Sequence, residues 1–145
     1  MDIKKVINSD LENLTDLVLN GHGDSDQHLL TLFSLCLSLK AKNVLELGVR
    51  SGTTTSALLP AVYLTNGKLT SVDTEATSYK PPSEYSDLWS MEVTNALDFL
   101  DKAVSAKKVY DLIYIDDWHS YDHVKQELEY IDYLISDLTL IPEDK

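Results

Sequence analysis

The chain has one cysteine, one arginine and no long unbroken apolar stretch, and each shortage excludes something. Cys36 has no partner for an internal disulfide; its place in an apolar, helix-like run marks it as a small packed hydrophobe rather than a reactive thiol. The longest apolar-rich stretch, Leu29 to Leu39, carries Thr31, Ser34 and Ser38 and falls short of the roughly 20 residues that a bilayer span needs. No extended apolar segment follows the lysines of Met1-Asp2-Ile3-Lys4-Lys5-Val6, so no secretory signal peptide is expected. The expectation is a soluble, cytoplasmic protein with no membrane partner. Basic residues are scarce, with 12 Lys and Arg against 24 Asp and Glu and a formal charge of −12. No basic run exceeds two residues, and such a surface repels a phosphate backbone, so no nucleic acid partner is expected.

What the chain has is enough apolar material, 43% of 145 residues, for one packed domain and too little for two. Residues 1–40 read as N-terminal helices and residues 41–145 as an α/β core. Leu11, Leu14, Leu17 and Val18 fall at helical spacing and stop at Asn20-Gly21. Asp24-Ser25-Asp26 offer capping side chains for a second, buried helix through about Lys40. From Asn43 short apolar runs at 43–47, 68–73, 88–93 and 109–115 read as strands, with helices near 53–63, 94–104 and 119–135. That alternation predicts a doubly wound parallel sheet with right-handed crossovers and helices on both faces. Pro81-Pro82 break the segment 74–87 too often for a helix. Val124, Leu128, Ile131 and Ile135 form one face of the last helix, with Lys125, Gln126, Glu129 and Asp132 outward.

The chemistry concentrates at Val44-Leu45-Glu46-Leu47-Gly48-Val49-Arg50-Ser51-Gly52. An apolar strand meets a glycine, and Ser51-Gly52-Thr53 opens a helix, which lets a ligand approach the backbone at the carboxyl end of the strand. The spacing is not the Gly-x-Gly-x-x-Gly of a dinucleotide turn, and no Gly-Lys-Ser/Thr follows to make a Walker loop. Glu46, two residues before the first glycine, would repel a pyrophosphate. A carboxylate there suits a ligand with an ammonium group and no phosphate, a description that S-adenosylmethionine (SAM) meets.

Glu-x-Gly-x-x-x-Gly after a first strand resembles motif I of the class I SAM-dependent methyltransferases. Leu69-Thr70-Ser71-Val72-Asp73 resembles the second strand of that family with its terminal acid, and Asp73 follows Gly52 at close to the roughly 20-residue spacing of a ribose-binding acid. Tyr110-Asp111-Leu112-Ile113-Tyr114-Ile115-Asp116 resembles the fourth strand and its active-site acid. The resemblance implies a Rossmann-like sheet of order 3-2-1-4, truncated because strands five to seven of the family are missing. It places Glu46 near the amino group of SAM, Gly48 and Gly52 beneath its backbone approach, Ser51 in the same loop and Asp73 on the ribose; Asn95 matches the adenine-contacting position loosely. Other roles compete: a tight turn for Gly48 and Gly52, a cap for Asp73. Arg50 either meets the carboxylate of the ligand or pairs with one of the many acids.

Asp116-Asp117-Trp118-His119-Ser120-Tyr121 carries an Asp-x-x-His at the end of a strand. It is similar to a branch of small-molecule O-methyltransferases that includes macrolide-sugar methyltransferases and cephalosporin hydroxylase-like proteins. The similarity implies Asp116 as a ligand to a divalent metal such as Mg or as a positioner of the acceptor, and His119 as general base on a hydroxyl. An imidazole titrates near neutral pH and gives the hydroxyl proton somewhere to go. Helix capping or a plain surface role competes for His119. His123, four residues on, could join Asp116 and His119 in a different metal site. His22 and His28 are expected at the solvent, and Trp118 and Tyr121 either line an acceptor pocket or close the core. Without strand five, strand four becomes an edge, so self-association or a returning segment at 137–141 is expected to cover it. The alternative to a methyltransferase is a non-catalytic or partner-dependent SAM-binding module.

Overall fold

The structure, a computed structural model, describes residues 1–135. Four parallel strands, β1 (Asn43–Leu47), β2 (Lys68–Asp73), β3 (Trp89–Val93) and β4 (Leu112–Ile115), form one sheet in the order β3-β2-β1-β4. This is the expected 3-2-1-4 order. β1 pairs with β2 from Asn43–Lys68 to Leu47–Val72 and with β4 from Val44–Leu112 to Leu47–Ile115. Asp111 sets the start of this register, since its Oδ2 accepts the N–H groups of Lys42 at 2.8 Å and Asn43 at 3.0 Å.

Both faces of the sheet are covered, so β1 reads as a nearly continuous apolar run rather than an alternating one. Val44 and Leu69 face a layer made by α3 (Leu29–Ser38) and α4 (Thr53–Thr65), with Leu58, Ala61 and Val62 of α4 fully buried. Cys36 sits in this layer, and burial pushes its thiol up to about 12, consistent with a packing role. Leu45, Leu47 and Val72 face the other way, against Ala96, Leu100 and Ala103 of α5 (Ala96–Ser105), beside which α6 (Tyr121–Ile131) lies.

The N-terminal helix is continuous from α1 (Ile3–Lys5) through a π-helical turn (Val6–Asp10) into α2 (Leu11–Asn20). Lys5 ties it to a 3-10 helix, Ser83–Leu88, through Glu84 and the Tyr85 hydroxyl at 3.0 Å each, while pairing with Asp10 within its own helix. That 3-10 helix lies in the segment whose prolines argued against any helix; two prolines exclude an α-helix but not a short turn that starts after them. The capping expectation at residues 24–26 fails. The second helix enters through a 3-10 turn at Asp26–His28 with no side-chain cap, Asp26 is buried and accepts the N–H of Gly23, and Ser25 points elsewhere. His22 and His28 are exposed.

After α6, Tyr110 bridges to Ile135 in parallel, and the N–H of Tyr110 donates to the Leu134 carbonyl at 2.7 Å. The chain has therefore returned beside β4 by Ile135; the segment expected to cover this edge, 137–141, lies outside the described residues. Among the described residues no helix is long and apolar enough to cross a membrane.

Candidate functional site

The site is built where β1, β2 and β4 end together. Gly48 leaves β1 at φ 94°, and a Cβ there would stand 2.2 Å from the carbonyl oxygen of Asp116. Only glycine permits this approach of the β1 and β4 ends. The loop then curls over β2: the N–H groups of Val49 and Arg50 donate to Asp73 Oδ2 at 2.8 and 3.0 Å, while that of Glu75 reaches Oδ1 at 3.2 Å. Partial burial opposes ionisation of Asp73, but the N–H donors of Arg50, Val49 and Glu75 outweigh it and hold the carboxyl below its usual range. Arg50 itself is left-handed at φ 52°, uncommon for a residue with a side chain. Gly52, at φ 86°, precedes α4, and a Cβ there would enter the ring of Tyr79 at 2.4 Å.

Beside this loop lies a cavity of about 420 Å³ whose wall includes Gly48, Arg50, Asp73, Asn95, Asp116 and Trp118. A smaller hollow of about 120 Å³ lies on the other side of the loop and shares Gly48, Arg50 and Asp116 while adding Ser25 and Ser51. Five of the expected residues thus converge on the larger space and Ser51 joins through the smaller, while Glu46, Gly52 and His119 line neither. Asn95 has a structural task as well, since its side chain accepts the N–H of Leu97 at 2.8 Å and caps α5. Among the described residues the guanidinium of Arg50 makes no ion pair, and Arg50 lines both spaces.

Glu46 is placed differently from the loop residues. It is fully buried and lines neither space. Its Oε1 accepts from Thr55 Oγ1 and Ser71 Oγ, both at 2.7 Å, and Trp89 Nε1 donates to the same Ser71 oxygen at 2.9 Å. Its Oε2 has no partner among the described residues. Burial pushes the Glu46 carboxyl up to about 7 against the two hydroxyl donors, and the charges of Asp116 and Asp73 add to the rise.

At the end of β4 the structure makes two groups. Asp116 Oδ1 lies 3.3 Å from Nε2 of His119, and Asp116 Oδ2 accepts from Ser25 Oγ at 3.1 Å. Ser25 is the contribution that sequence reading missed; no local pattern announces a contact across 91 positions. His123 does not join this pair. Its Nε2 hydrogen-bonds Asp117 Oδ2 at 3.2 Å and lies 3.1 Å from Glu127 Oε1, a separate cluster. Glu127 is fully buried, and burial together with Asp117 pushes its carboxyl up to about 8. The expected set Asp116, His119 and His123 is therefore split. Among the described residues no three metal-ligating side chains converge on Asp116. Trp118 is 70% and Tyr121 78% exposed, and neither closes the core.

A doubly wound sheet with a left-handed glycine turn over the β2 acid defines a Rossmann-like ligand-binding domain. The chain belongs to the methyltransferase domain family, which matches residues 45–142. No curated protein matches it significantly. Among solved structures it is similar to a SAM-dependent methyltransferase from Agrobacterium tumefaciens (16% identity, TM-score 0.57, covering 79% of this chain and 42% of the other). It is also similar to an O-methyltransferase from Bacillus cereus in complex with S-adenosylhomocysteine (18%, 0.54, 87% and 61%). A third is the MycE methyltransferase of mycinamycin biosynthesis in complex with Mg, S-adenosylhomocysteine and mycinamycin VI (17%, 0.60, 88% and 37%). At these identities the likeness is one of fold. The chain spans between 37% and 61% of the length of these three relatives.

Proposed function

We propose that this domain binds SAM across the glycine loop and transfers its methyl group to a hydroxyl of a small molecule, with His119 as general base. The observation that carries the reading is the pairing of Asp116 and His119 at the end of β4, with Asp116 on the wall of the cavity that Asp73 and Gly48 also line. In this reading Asp73 accepts from the ribose hydroxyls through the oxygen not taken by Val49 and Arg50, and Asn95 meets the adenine. Arg50 meets the carboxylate of the methionine moiety. Glu46 acts as a positioning residue that ties α4 to β2 through Thr55 and Ser71. Asp116 orients the imidazole of His119, which receives the acceptor proton as the hydroxyl oxygen attacks the methyl carbon and the carbon–sulfur bond breaks toward sulfur. Alignment of acceptor oxygen, methyl and sulfur supplies much of the acceleration.

Calorimetric titration tests the binding half: SAM and S-adenosylhomocysteine bind and NAD does not. Absence of heat with both sulfur ligands at millimolar concentration overturns the reading. Transfer from labelled SAM to a panel of hydroxyl acceptors, compared with His119→Ala, tests the chemistry. Binding with no transfer to any acceptor favours the second reading, a SAM-binding module that is non-catalytic or depends on a partner.

A further inference from the structure

We propose that Asp117, His123 and Glu127 form a binding site for one divalent transition-metal ion, of the Zn²⁺ or Mn²⁺ kind, beside the large cavity and separate from the Asp116–His119 pair. The candidate ligand atoms of the three residues all lie within 4.8 Å of one another. Bonds of about 2.1 Å at angles between 90° and tetrahedral put neighbouring ligand atoms about 3.0 to 3.4 Å apart. The His123–Asp117 and His123–Glu127 separations, 3.2 and 3.1 Å, fall in that interval.

Hydrogen bonding alone leaves the cluster incomplete. Glu127 is fully buried, and its carboxylate meets only the His123 imidazole at 3.1 Å and the neighbouring Asp117 carboxyl, with no hydroxyl or amide donor among the described residues; Asp117 Oδ1 has no hydrogen-bond partner among them. A single imidazole N–H can serve one of these oxygens, not all of them. Once Glu127 gives up its proton to solvent on metal binding, two carboxylates and a neutral imidazole supply the charge and three of the donor atoms that a dication needs. Asp117 and His123 also line the 420 Å³ cavity, so the remaining coordination positions open toward it. One nitrogen and two carboxylate donors suit Zn²⁺ or Mn²⁺ better than Mg²⁺, which prefers oxygen and keeps its waters.

Metal alone probes this site, independently of methyl transfer. Zn²⁺ or Mn²⁺ added to the purified chain should bind at one equivalent, with Mg²⁺ at least about a hundredfold weaker. His123→Ala and Glu127→Gln should each weaken binding by about a hundredfold or more, while Asp116→Asn stays within a few-fold of wild type. In the wild type, Mn²⁺ should broaden the ring resonances of His123 before those of His119, a readout that does not depend on any variant folding. No binding at millimolar metal, smaller losses in the two variants, or earlier broadening at His119 overturns the proposal.

Discussion

At the scale of single residues, Glu46 makes the sharpest prediction. Its carboxyl titrates at about 7 in the fold against 4.5 in the open chain, so the native state retains a proton that the unfolded state has lost between those values. Stability therefore falls as pH rises from about 4.5 to about 7, by roughly 3 kcal/mol at most. Glu46→Gln should remove its share of that dependence, leaving the share of Glu127, and melt higher than the wild type at pH 8; a Tm that falls between pH 5 and pH 8 by as much in the variant as in the wild type would refute the assignment. Gly48→Ala faces both a positive φ and the Asp116 carbonyl at 2.2 Å, and should lose about 2 kcal/mol or more in chemical denaturation. Gly52→Ala differs, because its obstacle is the Tyr79 side chain. Adding Tyr79→Ala should remove the clash component, leaving the cost of φ and the lost packing of the ring.

At the scale of elements, α5 shows how a cap and a ligand contact can be told apart in one residue. Asn95→Ala removes the cap on Leu97 and should cost about 1 kcal/mol of stability whether or not SAM is present. Asn95→Asp keeps an acceptor and restores the cap, so any loss of SAM affinity that persists in it belongs to the adenine contact. The strands were legible because each is a short apolar run, three of the four with a helical stretch after it, and β1 and β2 have the bounds that the pattern gives. The π-helical turn at Val6–Asp10 and the 3-10 helix at Ser83–Leu88 were not, because neither has a periodicity that stands out from its surroundings. The Asp116–His119 pair could be read from one short segment. Glu127 could not: His123 and Glu127 have the four-residue spacing of helix neighbours, but nothing local says that this part of a polar helix turns inward or that Asp117 meets it there.

At the scale of the molecule, ligand binding and folding are linked, since the loop, the β2 acid and the N-terminal segment through Ser25 all meet at one place. S-adenosylhomocysteine at a hundredfold its Kd should add about 2.7 kcal/mol of stability and raise the Tm by roughly 5 to 10 °C. An unchanged Tm at a concentration that saturates calorimetric binding would contradict binding to the folded state alone.

The cavity wall holds three aspartates, Asp73, Asp116 and Asp117, against the single guanidinium of Arg50. For the proposed reaction this imbalance bears on turnover. SAM arrives with a positive sulfonium that S-adenosylhomocysteine no longer carries, so the acid-lined wall favours the substrate over the spent product by an electrostatic margin. Product inhibition is then weakest in dilute buffer, and added salt should bring the two affinities together.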